Sequence, residues 1–298
     1  MNFKKKTLLD NNVWGFAFVM PWIVYFLILQ VYPFIMSIKT SFMDINLIVP
    51  EKAKFVGLGN FITVLGSKDF WIAFGNVLYN QAIFIPLLIV LAYFVAVLIS
   101  EIKHFQSFYR VVYFLPIVIS VTVGMILFKF LVDAEGVIPT LLLKLGILKQ
   151  SYNWMNSTII PMPMLALFSL WKWLGISMIV LLAGLSGLDP ELEEAAFVDG
   201  ANWWQRLIKI KTPLLRPQFT FLIAINIISG LQMFTEVFIP FGLNGGIHGV
   251  ITTPVILLYR EAFTNMKMGY GSAVGIILAA IICIFTLVQI RVTDSKAD

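Results

Sequence analysis

Apolar residues in this chain gather into long blocks, unlike the alternating or one-faced patterns of a soluble domain. Six blocks are long enough to cross a bilayer as helices, each crossing needing roughly 20 residues. They cover residues 13–38, 74–99, 108–131, 164–184, 218–239 and 271–292. The pattern therefore predicts an all-α, polytopic membrane protein with six transmembrane helices. Pro21, Pro33, Pro86 and Pro116 lie inside blocks and predict kinks that neighbouring helices must compensate. Lys4, Lys5 and Lys6 precede the first block in the manner of a signal peptide. The block is too long for one and no small-residue cleavage site follows, so it reads as a retained anchor.

One polar stretch breaks the pattern. Residues 189–201 read Asp-Pro-Glu-Leu-Glu-Glu-Ala-Ala-Phe-Val-Asp-Gly-Ala, and Arg206, Lys209, Lys211 and Arg216 follow. Asp189 suits an N-cap and Pro190 the first helical position, where a missing N–H costs nothing. Glu191, Glu193 and Glu194 favour the positive end of the helix dipole. Asp199-Gly200 predicts a break, because glycine tolerates a left-handed turn. A second helix is expected over 202–210, with Trp203, Leu207 and Ile210 on one face and Arg206 and Lys209 on another, ending at Thr212-Pro213. Two short helices around a glycine corner make a protruding knob, or else an amphipathic hairpin lying on the membrane surface.

Composition agrees with the membrane reading: 59% hydrophobic and 12% charged residues, with a mean hydropathy of +0.90. The net charge of +5 does not point to nucleic acid, because the basic residues sit in short segments between apolar blocks. Six crossings place both termini, the 100–107 connection and the knob on one side. That side carries Lys4, Lys5, Lys6, Lys103, Arg206, Lys209, Lys211, Arg216 and Lys296. The other side carries Lys39, Lys52, Lys54, Lys68, Lys144, Lys149, Arg260 and Lys267 over longer loops. By density of basic residues the termini are cytoplasmic. The organisation that follows is a cytoplasmic segment at 1–12, a first helix with its outer loop at 13–70, a core at 71–292 containing the knob at 188–217, and a cytoplasmic tail at 293–298. Cys283 is the single cysteine, so no intrachain disulfide forms; in an apolar block it reads as a buried, inert thiol without metal.

The polar stretch carries a family resemblance. Glu194-Ala195-Ala196, Asp199-Gly200-Ala201, Ile210, Pro213-Leu214-Leu215 and Pro217 resemble the EAA signature of ABC importer permeases, most closely the carbohydrate branch typified by maltose permeases. Further resemblance lies in Phe55-Val56-Gly57-Leu58 with Asn60-Phe61, and in Arg110 with Phe114-Leu115-Pro116 and Ser120. It continues in Trp171-Lys172 with Gly175 and Ala183-Gly184-Leu185, and in Tyr259, Ala262-Phe263 and Gly269-Tyr270-Gly271-Ser272-Ala273. Coverage is about residues 15–292. The family's Gly-Gly-Pro in the outer loop before the sixth block reads Gly245-Gly246-Ile247-His248-Gly249 here. His248 reads as a solvated loop histidine or, less simply, a ligand.

The resemblance implies the type I ABC importer permease fold, with the knob as a cytoplasmic coupling helix docked in a groove of an ATP-hydrolysing subunit. Ala195 and Ala196 would allow close approach, Glu194 could pair with a basic group on the partner, and Gly200 would set the corner; Asp199 and Pro213 complete the motif. It implies a second six-helix permease, two ABC ATPase subunits, an extracytoplasmic binding protein, a sugar or oligosaccharide substrate and a bacterial or archaeal cytoplasmic membrane. ATP and Mg would belong to the partner ATPases. The chain has no Gly-x-x-x-x-Gly-Lys-[Ser/Thr] phosphate loop and no expected cofactor, catalytic residue or metal of its own.

Neutral sugars are held by aromatic faces and side-chain amides. Within the blocks these are Asn80, Gln81, Trp173, Asn226, Ser229 and Gln232. The last three are three apart and would share a helix face; the alternative for each residue is an interhelical hydrogen bond. Lys172, a charge inside a span, reads as structural or gating. Other classes are weaker. An ion-coupled carrier would show buried acids, whereas only Glu236 lies near a span interior; an intramembrane enzyme would show His-Glu-x-x-His or Gly-x-Ser-x-Gly. Glycerol-phosphate-type substrates would need several cavity cations, and Lys172 is the one obvious candidate.

Overall fold

The computed structural model describes residues 8–102, 104–150 and 153–294. Lys4, Lys5, Lys6, Lys103 and Lys296 of the orientation argument lie outside the described residues, as does the side chain of His248. Helix α1 (Leu8–Phe26) runs through a π turn into α2 (Tyr32–Ser41), and a two-residue ladder, β1 (Met43–Asp44) against β2 (Lys54–Phe55), folds the following loop. Then come α3 (Gly59–Gly66) and the long α4 (Lys68–Glu101), followed by α5 (Gln106–Val118), α6 (Val121–Val132) and α7 (Val137–Lys144). Helix α8 (Pro161–Ser186) leads to the knob of α9 (Pro190–Val198), α10 (Trp203–Arg206) and α11 (Thr212–Leu214). The chain closes with α12 (Arg216–Leu231), α13 (Thr235–Phe241), α14 (Pro254–Tyr259) and α15 (Met268–Asp294).

Five described helical stretches are long and apolar enough to cross a membrane, and a sixth crossing appears if the bent pair α5–α6 counts as one. Helices α4 and α8 pack along each other, with α5 against α8 and α12 against α4 and α15. In lipid the apolar effect does not drive helices together, so close approach through small residues matters. Ala92 and Ala96 of α4 meet Met178, Leu181 and Leu182 of α8 in one such contact. At Gly175 the approach is tighter still: a Cβ there would stand 2.0 Å from the Tyr113 carbonyl oxygen of α5.

Three readings of the apolar blocks need correction. The block at 108–131 is not one helix but two, meeting at 94° across Ile119 and Ser120. Apolar composition runs unbroken through this corner, so hydropathy alone does not mark it. Ser120 caps the restart, its Oγ accepting from the Val123 N–H at 3.2 Å. Second, the block at 218–239 is interrupted at 232–234 before α13 restarts. Third, Cys283 is exposed on α15 and not buried, because that side of the helix is left uncovered by the other described residues.

The first helix also stands apart. The 15–41 stretch has no buried residue in its most apolar window, and its second helix, α2, lies along α15.

Candidate functional site

The knob forms as its caps predict. Asp189 Oδ1 accepts from the Glu191 N–H at 3.0 Å, with Pro190 opening α9. The helix ends in a Schellman arrangement: Gly200 N–H donates to Phe197 O at 3.0 Å and Ala201 N–H to Ala196 O at 2.9 Å. Gly200 has φ of 82°, and a Cβ there would touch nothing within 4 Å. Backbone conformation, and not bulk, is therefore what a substitution at the corner must overcome. Gly200→Ala should destabilise the corner by about 1 kcal/mol and Gly200→Asn by less, since asparagine enters the left-handed region more readily. Hydrogen exchange at the Gly200 and Ala201 amides would register that order, and equal protection in all three proteins would contradict it.

The second knob helix departs from expectation. It does not end at Thr212-Pro213; α10 continues through a π turn at Leu207–Lys211 into α11, which contains Pro213. The π turn accommodates the missing proline N–H, and the Thr212 hydroxyl donates to Leu207 O at 2.8 Å. The start is a capping box absent from the sequence reading, although Asn202-x-x-Gln205 signals it. Asn202 Oδ1 accepts from Gln205 N–H and Gln205 Oε1 from Asn202 N–H, both at 2.9 Å.

Glu193 has a second role besides its place in the helix dipole. Its carboxylate pairs with Lys211 Nζ at 2.9 Å and lies 3.9 Å from Arg206, which clamps α9 onto the second knob helix. The knob is tied to the bundle by Trp203, whose Nε1 donates to Glu101 Oε1 at 2.7 Å, and by the Tyr93 hydroxyl, 3.0 Å from Thr212 Oγ1. On α9 Glu194 and Ala195 are exposed, as is Asp199 at its C-cap, with Ala196 half-buried. Phe197 is 66% and Val198 84% exposed. Single exposed apolar residues are ordinary, but here two large ones stand side by side next to Ala195.

Lys172 is fully engaged. Its Nζ donates to the carbonyls of Pro116 at 3.2 Å, Ile117 at 3.4 Å and Ile119. The end of α5 leaves these carbonyls without intrahelical partners at membrane depth, and the ammonium satisfies them. The lysine therefore holds the corner between α5 and α6, its ammonium spent on their backbone carbonyls.

The substrate-path candidates separate. Gln81, Trp173, Asn226 and Ser229 line one pocket of about 50 Å³ together with Phe84, Ser169, Gly230, Met233 and Glu236. Asn80 is wholly buried and donates to Met162 O at 3.0 Å, so it ties α4 to α8. Gln232 is the residue that ends α12 and does not line the pocket, so the face expected to be shared by three residues holds only for Asn226 and Ser229. Glu236 and Ser169 join the site from α13 and α8; Glu236 was visible as a lone acid, but its place depended on the break at 232–234.

The pocket is rich in acceptors. Gln81 Nε2 donates to Asn80 Oδ1 at 3.1 Å, while its Oε1 is buried without a hydrogen-bond partner. Asn226 uses its amide N–H on Leu222 O at 2.7 Å, which leaves its carbonyl oxygen free to accept. A Cβ at Gly230 would lie 2.1 Å from the Gln81 side-chain carbon, so only glycine lets this amide lie against α12. Carbonyl and carboxylate oxygens beside the Trp173 ring suit a ligand that brings hydroxyl donors and an apolar ring face.

No family model matches the chain. The chain is 32% identical over 286 residues, 94% of its length and 88% of the relative's, to the arabinooligosaccharides transport system permease protein AraP of Bacillus subtilis (strain 168). It is 31% identical to the probable ABC transporter permease protein YesP of the same organism, covering 98% of this chain and 94% of that one. The lactose transport system permease protein LacF of Rhizobium radiobacter is 27% identical with 93% of each chain covered. In fold, the chain is similar to a solved bacterial ABC transporter involved in the import of the acidic polysaccharide alginate. There the TM-score is 0.80 at 22% identity, with 96% of this chain and 97% of that one covered.

Proposed function

Since the chain belongs to the sugar permeases of ABC transport systems, we propose that it forms half of the membrane path of an ATP-driven, binding-protein-dependent importer of a neutral oligosaccharide. As a permease subunit it is a transport component and not an enzyme. The observation that carries the substrate class is the chemistry of the wall beside the interrupted fifth span; its pocket of about 50 Å³ is far below the roughly 300 Å³ of a ligand site and so supplies path lining, not a binding chamber. Its polar lining is Gln81, Ser169, Asn226, Ser229 and Glu236, with the aromatic side chains of Phe84 and Trp173 and no cation among the lining residues. Relatives named for arabinooligosaccharides, lactose and starch degradation products support sugars of two or more units. A glycerol-phosphate-type substrate fits less well, because Lys172 is already engaged by three carbonyls and Glu236 would repel a phosphate.

The first helix supports a second six-helix permease as partner. It is long, apolar and unburied within its own chain, so a neighbouring subunit is a natural surface for it. The exposed face of α9 suits the groove of an ATPase subunit, two of which would supply ATP and Mg chemistry. A solved alginate transporter was captured with a substrate-bound periplasmic protein, which supports an extracytoplasmic binding protein here. The knob and both termini then face the cytoplasm.

Ser229→Leu should reduce sugar uptake into proteoliposomes by about 10-fold, the loss of one hydrogen bond plus steric blocking, with basal ATPase activity and assembly retained. Failure to assemble would make Ser229 an interhelical contact, and wild-type uptake would remove it from the path. Sugar uptake by the purified chain alone, without ATPase subunits, would refute the importer reading itself.

A further inference from the structure

Arg110 stands where two depressions meet. An apolar groove runs along α5, formed by Val111, Phe114, Leu115 and Val118, with Ile179 of α8 completing its wall. The α5 residues recur at helical spacing, so the groove follows the helix axis. On the other side lies a polar cleft of about 310 Å³ at the base of the knob, lined among others by Ser100, Glu101, Gln106, Asp189, Glu193 and Lys211. Arg110 lines both. Its guanidinium makes one hydrogen bond, to Gln106 Oε1 at 3.3 Å, and joins none of the ion pairs among the described residues.

We propose that this junction binds a phosphatidylethanolamine molecule, its phosphate on Arg110, one acyl chain in the groove and its ammonium turned into the cleft. A guanidinium fork matches two phosphate oxygens, and an exposed arginine beside an apolar groove supplies both halves of a lipid's chemistry. Helix α5 spans about 20 Å along its axis, the length scale of an acyl chain. Phe105 and Phe108 are exposed at its start, where aromatic rings mark headgroup depth. The headgroup follows from charge. The cleft presents Glu101, Asp189 and Glu193 against Arg110 and Lys211, three negative charges to two positive. A wholly anionic headgroup would meet net repulsion, whereas one with an ammonium beyond its phosphate is matched. Glu101 and Asp189 each keep a carboxylate oxygen beyond the one engaged with Trp203 and Glu191. The lipid would then rest against the pair Glu193–Lys211 that holds the knob together.

The test uses the chain assembled with its partner permease and ATPase subunits, purified in detergent, with bound phospholipid quantified by mass spectrometry. Parent complexes should retain phosphatidylethanolamine over phosphatidylglycerol and phosphatidylcholine when all three are supplied equally. Arg110→Gln should lower retention by about 10-fold, the loss of one charge-assisted contact, and Arg110→Lys by less. Leu115→Trp, which fills the groove and leaves the charge, should also displace the lipid. Three results would overturn the assignment. Arg110→Gln or Leu115→Trp could retain the parent's lipid; phosphatidylglycerol could be held as tightly as phosphatidylethanolamine; or Leu115→Cys could cross-link efficiently to the partner permease in native membranes, which would make the groove a subunit interface.

Discussion

Lys172→Met should lower the stability of the assembled protein by about 3 kcal/mol or more, because it removes a buried cation and strands three carbonyls in one step. Methionine fills similar volume, so packing loss contributes little. Pro116, Ile117 and Ile119 give their carbonyls to Nζ at the corner between α5 and α6. Lys172→Arg should retain part of the stability, since a guanidinium still donates but on a longer arm. A melting temperature followed by loss of monodisperse complex would check this. An unchanged melting temperature in Lys172→Met would mean that the corner is held by packing alone, chiefly the approach of Gly175 to Tyr113.

A second large effect is expected at Phe197. Its ring is exposed on α9, with the Arg206 guanidinium over it at 5.3 Å. If the ATPase groove receives this face, Phe197→Ala removes a central aromatic anchor, worth about 2 kcal/mol or roughly 30-fold in affinity for the ATPase subunit. The permease pair itself should fold and melt as before, because little of the ring is buried within it. Pull-down of ATPase subunits at a series of concentrations separates the two. Wild-type capture would place the docking surface elsewhere on the knob, and a lowered melting temperature would make Phe197 a structural residue.

The features readable from the chain were those specified locally. Apolar length gave the crossings, since a helix satisfies its own backbone groups wherever it lies in lipid. The knob was equally plain, because Asp189, Pro190 and Gly200 act through neighbouring backbone atoms. What stayed hidden depends on distant partners. Lys172 meets carbonyls more than fifty positions away, and nothing local in 108–131 announces a 94° corner. The fifth span carried two of its three candidate residues into the pocket. Gln232 fell outside because helical spacing was extrapolated through a break, the same break that brings in Glu236. Glu193 looked like a dipole residue; its clamp on Lys211 required the corner at Gly200 to be placed first.

The corner of the third span bears on how the polypeptide enters the bilayer during synthesis. Helix α5 has 13 residues and α6 has 12, each reaching about 20 Å against a hydrocarbon thickness of roughly 30 Å. Neither can leave the insertion channel stably by itself, and the α8 segment arrives with an uncompensated lysine that costs about 3 kcal/mol at mid-depth. Each segment repairs the other's defect: the late-arriving ammonium closes the open end of α5, and that open end accepts the charge. Neither α5 nor α6 is then a competent lipid-embedded unit until the ribosome has delivered the chain through Lys172 of α8. Nascent chains should therefore wait at the lateral gate through the synthesis of α6 and α7, and partition as a set once Lys172 has emerged.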